Sequence, residues 1–82
     1  MMIACVRWQD PTTHTGWFSA RKVPGLKVSN ILTVGILIHE DEEFIRVALD
    51  VTRKGGANGI AVIPKKSIIK MRKMKIPPGV AL

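Results

Sequence analysis

The sequence predicts a single small, mostly β domain: five strands closed into a barrel, with a long first loop. Three observations lead there. Apolar, largely β-branched residues gather in five short runs bounded by Gly, Pro, Asn, Asp and Ser. Residues 44–51 alternate apolar and polar side chains, the period-two signature of a half-buried strand. No stretch carries a sustained helical stripe. Residues 42–50 also fit helical spacing, but their β-branched content and the acidic turn before them favour a strand. A chain of 82 residues makes one domain. At that size it buries only about 60% of its unfolded surface, so the core is thin.

The first strand is expected from Met2 to Trp8, stopped by Gln9-Asp10-Pro11, where proline removes a backbone donor. From there to Asn30 the chain reads as an irregular loop, marked by His14-Thr15-Gly16, Pro24-Gly25 and Ser29-Asn30. A loop this long in a compact domain is usually functional or disordered. Trp17 and Phe18 in its middle predict that it is pinned to the body. Ile31 to His39 is the strongest strand, residues 40–43 an acidic turn, and Phe44 to Val51 the returning strand. In that strand Ile45, Val47, Leu49 and Val51 are expected on one face. Asn58-Gly59 reads as a type I′ turn pair leading into a strand from Ile60 to Ile63. Pro64 ends that strand, Lys65-Lys66-Ser67 makes a tight turn, and Ile68 to Ile76 is the last strand. The domain therefore covers residues 1–76, with a loose tail over 77–82.

The formal net charge of +7 is unevenly placed: residues 51–82 hold eight Lys or Arg and no acid. Such a one-signed half speaks of partners rather than fold, and nucleic acid, an anionic surface and an acidic protein are the candidates. The basic residues around the last strand are Lys65, Lys66, Lys70, Arg72, Lys73 and Lys75. They read either as phosphate contacts or as solvated protection of a sheet edge. Strict alternation would place Ile68, Lys70, Arg72 and Met74 on one face and Ile69, Met71, Lys73 and Lys75 on the other.

A second constellation is Trp8, Asp10, His14 and Trp17 around the long loop. It reads as an aromatic platform for a base or a peptide, or as two indoles packing the loop down while Asp10 satisfies loop amides. Gly55-Gly56-Ala57-Asn58-Gly59 lacks the spacing of a phosphate cradle and reads as a strand connection. His14, His39, Cys5 and the acids of residues 40–43 match no zinc or nucleophile spacing, so neither enzymatic activity nor a cofactor is expected. One cysteine excludes an internal disulfide. The longest apolar run, Ile31 to Ile38, is too short to span a bilayer and no secretory leader is read, so a cytoplasmic protein without membrane attachment is expected. That same run places apolar side chains on both faces of one strand, which predicts a homo-oligomer.

The order of strand, long loop, three strands with short turns, proline-marked turn and last strand resembles the Src-homology-3 and Sm families of small barrels. The run Gly35 to Phe44 is similar to the first Sm signature, with Gly35, Leu37, Asp41 and Phe44 at its positions. Where that family has an RNA-contacting asparagine this chain has Ile45, and where it has an arginine-glycine pair this chain has Ile63-Pro64-Lys65. The whole chain also resembles a group of small, uncharacterised bacteriophage-encoded proteins. The likeness rests on Trp8, Asp10, Gly16 and Trp17, on Val34 to Asp41, and on Ile63, Pro64, Lys65 and Ile68. That likeness implies a phage accessory protein acting in the bacterial host cytoplasm. Together these readings predict a non-catalytic barrel that binds single-strand RNA or DNA through its basic C-terminal half. The alternative is an assembly module that docks on a host or phage protein through the Trp8/Trp17 loop.

Overall fold

The computed structural model describes residues 1–11 and 14–82; Thr12 and Thr13 lie outside the described residues. Five antiparallel strands form one sheet: β1 (Met2–Asp10), β2 (Ser29–Glu40), β3 (Phe44–Val51), β4 (Ala57–Pro64) and β5 (Ile68–Lys75). Their order in the sheet is β4-β3-β2-β1-β5. Single turns of 3-10 helix occupy Val23–Gly25 and Lys65–Ser67.

The expected closed barrel is corrected by the pairing. β4 and β5 are the two edges of the sheet and no ladder joins them. The sheet is nevertheless rolled. Laid flat, four inter-strand spacings would separate its edges by about 19 Å. Only the three-residue turn Lys65–Ser67 connects β4 to β5, and a 3-10 turn advances only about 2 Å per residue. The ends of β4 and β5 are therefore drawn together while the rest of the two edges stays unpaired. Rolling also explains the core, in which Ala4 and Val6 of β1 meet Ile45 and Val47 of β3 and Ile63 of β4. Trp8, Leu37, Ala61, Ile68 and Met71 pack around this cluster.

Two irregularities in register decide which side chains point inward. Between β1 and β5, Arg7 faces Lys70 but Trp8 faces Ile68, so Ile69 is the extra residue of a bulge. Strict alternation along β5 is thereby broken. Ile68, Met71, Lys73 and Lys75 fall on the inner face, while Lys70, Arg72 and Met74 fall outward. Between β2 and β3, Leu37 faces Val47 and His39 faces Arg46, leaving Ile38 as the extra residue. That bulge turns Glu40 to the same side as its partner Ile45, the inner side.

The β3–β4 connection also differs from expectation. Asn58 and Gly59 lie inside β4, and Asn58 has no positive φ. The turn sits earlier, at residues 52–56, where Gly55 takes φ +95°. Thr52 closes it: its N–H donates to the Gly56 carbonyl at 2.8 Å, and its hydroxyl accepts the Gly56 N–H at 2.9 Å. Leu49 is 70% exposed rather than buried with Ile45 and Val47. Gly59 stands against it without a side chain, in the left-handed region at φ +66°.

The molecule measures 55 × 23 × 22 Å with a radius of gyration of 16.5 Å. A compact chain of this length would have a radius near 12 Å. The twelve-residue β2 alone runs about 40 Å, and exposed segments lie beyond the sheet. The described residues of the β1–β2 connection are exposed except the half-buried Leu26, and so is the tail from Pro77. The connection is an arm rather than a loop pinned to the sheet, and Trp17 on it is 103% exposed. Its length is the physical reason: a long excursion from one hairpin has a small body to fold back on, and the turns over residues 19–26 bond to one another.

Candidate nucleic-acid interface

The six basic residues predicted to act together are divided by the alternation of β5 and by Glu40. Lys65 and Lys73 both pair with the Glu40 carboxylate, Lys65 at 2.8 Å through Oε2 and Lys73 through Oε1. Hydrogen bonds from Lys65 and then Lys73 hold that carboxyl below its ordinary range. The trio ties the end of β2 to the 3-10 turn and to β5, and its two cations are engaged at the surface by one carboxylate. Lys66 is exposed on the same turn, and Lys75 lies opposite Met2 at the far end of the inner face. The six do not form one surface.

Lys70 and Arg72 do share the outer face, and β1 adds a cation that sequence reasoning missed. Arg7 stands directly across from Lys70, and Cys5 directly across from Arg72. Arg7, Lys70 and Arg72 are all exposed. No Asp or Glu occupies an outward position of β1 or β5, since Asp10 shares the parity of Trp8 and β5 has no acid. Like charges directly opposed across a ladder destabilise a sheet. The sheet thus carries a cationic patch at its own expense, and a phosphate bridging Arg7 and Lys70 would relieve the repulsion.

Beyond the patch an apolar row crosses the outer face, flanked by the polar pairs Gln9–Asn30 and His39–Arg46. Met74 faces Ile3, Ile3 faces Ile36, Ile36 faces Ala48 and Ala48 faces Ile60, a row crossing all five strands. Leu32, Val34 and Val62 extend it and are more than half exposed.

The predicted loop constellation also divides. Trp8 packs on the core and its indole N–H donates to the Thr33 hydroxyl at 3.0 Å, which makes it structural. Asp10 ends β1 opposite Ser29. His14 and Trp17 lie on the arm. His14 Nε2 is 3.2 Å from the Lys27 carbonyl, and the imidazole meets Phe18 edge-on at 6.4 Å. Backbone hydrogen bonds from Lys22 to Ser19, Gly25 to Lys22 and Leu26 to Val23 order residues 19–26 of the arm.

The acidic turn is a structural tip. Asp41 Oδ1 accepts the N–H groups of Phe44 at 2.8 Å and Glu43 at 2.9 Å, and Oδ2 pairs with Arg46 at 2.9 Å. The two backbone donors, then Arg46, bring the Asp41 carboxyl down to about 2. The Arg46 guanidinium lies over the Phe44 ring, 5.5 Å from its centroid.

Among the described residues no group of three or more His, Cys, Asp and Glu is placed to hold a metal ion, and no helix is long and apolar enough to cross a membrane. Comparison with protein-family models, curated proteins and solved structures gives no match.

Proposed function

We propose that this chain is a non-catalytic nucleic-acid-binding module of phage type, an open, rolled five-stranded sheet akin to the Sm-like and Src-homology-3-like folds, and that it works in the bacterial cytoplasm. The observation that carries the reading is the cross-strand pair Arg7 and Lys70 with Arg72 beside it, on a stretch of sheet without a carboxylate. Phosphate contacts of this kind hold a nucleic acid without reading its sequence. The strand order and the turn at Lys65–Ser67 support that kinship. The apolar outer row supports self-association, with a second copy covering Ile36 and its neighbours. The test is charge reversal. R7E/K70E should abolish binding of a labelled oligonucleotide at low salt, while K65Q/K73Q, whose lysines serve Glu40, should retain it. Equal loss in both variants would contradict the assignment of the site. A second reading, docking on a host or phage protein through the arm, is favoured by the full exposure of Trp17.

A further inference from the structure

Trp17 leaves about 150–250 Å² of aromatic surface in water, on a segment that does not need it for its own order. The arm is braced by other groups: the His14–Phe18 edge contact, His14 against the Lys27 carbonyl, and the turn hydrogen bonds from Ser19 to Leu26. Gly16 precedes the indole at φ +95°, and a Cβ there would meet nothing within 4 Å. The glycine is therefore required for its backbone conformation and not for space, and that conformation sets the direction in which Trp17 leaves the chain.

The surroundings define the partner's chemistry. The arm carries Arg21, Lys22 and Lys27, and no Asp or Glu occurs anywhere from residue 11 to residue 39. It leaves the sheet at Asp10, three residues along β1 from Arg7, or about 10 Å at the rise of a strand. One polyanion can thus lie on Arg7, Lys70 and Arg72 and continue onto the arm. Val23, Leu26 and Val28 gather with His14 and Lys27 around a shallow cleft. Trp17 is the one fully exposed indole, and Phe18, Val23 and Val28 on the same arm are each less than half exposed, whereas insertion into a membrane interface takes a broad apolar face. A lone indole among cations suits an unstacked base, which a single strand offers and a duplex does not.

We infer that the β1–β2 arm grips single-stranded nucleic acid by stacking a base on Trp17, while Arg21, Lys22 and Lys27 hold the adjoining phosphates. This rests on the nucleic-acid reading above and adds to it the form of the ligand and the stacking residue.

The experiment titrates the full chain with an oligothymidylate of about ten nucleotides and with a duplex of equal length, at low salt. Affinity is read by anisotropy of the labelled DNA and stacking by indole emission, with Trp17→Phe identifying the Trp17 signal against Trp8. The expected result is preference for the single strand and quenching of the Trp17 emission. Trp17→Ala should lose roughly 5- to 150-fold in single-strand affinity and change duplex affinity by less than about twofold. Single-strand binding with unquenched Trp17, or equal effects of Trp17→Ala on both forms, overturns the inference and leaves the nucleic-acid reading standing. No binding of either form removes both. A blue shift of Trp17 on vesicles of equal parts phosphatidylcholine and phosphatidylserine, without quenching by oligothymidylate, assigns the arm to a membrane and overturns it as well.

Discussion

The two tryptophans should separate cleanly under substitution, and the structure sets the size of the separation. Trp8 packs against the core of Ala4, Val6, Ile45, Val47 and Ile63 and donates its indole N–H to Thr33. Truncating a fully buried Trp costs about 3–5 kcal/mol. Trp8 is only partly buried, which places Trp8→Ala near the lower end, about 3 kcal/mol. Trp8→Phe keeps most of the packing and removes the hydrogen bond, a cost of about 1 kcal/mol. Trp17 touches no core residue, so Trp17→Ala should stay within about 0.5 kcal/mol of wild type. In a domain of this size each kcal/mol moves the melting temperature by about 4–8 °C, so Trp8→Ala should melt some 12–24 °C lower. Urea denaturation followed by circular dichroism measures all three. A loss under about 1 kcal/mol for Trp8→Ala, or a larger loss for Trp17→Ala, would refute the division of roles.

Three further outcomes follow from the same geometry. The Asp41 and Glu40 carboxyls titrate below their ordinary values in the folded chain, so the stability they contribute is present above the unfolded carboxylate range near pH 4. It should be lost as pH falls from there through about 2, where folded Asp41 takes up its proton, and Asp41→Asn should flatten that part of an acid-denaturation curve. Gly35→Ala should destabilise the fold by about 1–3 kcal/mol in urea titration, because the new Cβ would lie 2.9 Å from the Ala48 carbonyl oxygen and 3.1 Å from Val47 Cβ. Ile36→Asp, at the middle of the apolar outer row, should shift the mass measured by light scattering toward the monomer; a wild-type chain already monomeric at high concentration would contradict self-association.

What could be read from the sequence was local. β3 has the bounds expected of it, Phe44–Val51, because its alternation, the acidic turn before it and the glycines after it all act within a few residues. The tight turn after Pro64 is equally local. The bulges at Ile38 and Ile69 are not, since each exists only relative to a partner strand. They decide that Glu40 and Lys73 meet on the inner face while Lys70 and Arg72 point away. Arg7 could not be joined to the site from the sequence, because its neighbour Lys70 is sixty-three positions distant and pairs with it only through the β1–β5 ladder. Asn58-Gly59 carries a strong turn preference, but Gly55 and the Thr52 hydroxyl make the turn first. Trp17 misled for a physical reason: its hydrophobicity predicts burial, and the arm that carries it extends away from the body that could bury it.

The most direct test of the central claim is the salt dependence of single-strand binding. Each phosphate neutralised contributes a slope of about −0.7 in log affinity against log salt, so replacing Arg7, Lys70 and Arg72 together with glutamine should flatten the wild-type slope by roughly 2. Replacing Lys65 and Lys73, whose charges are engaged by Glu40, should leave the slope unchanged. A triple variant whose slope equals that of the wild type would contradict the account.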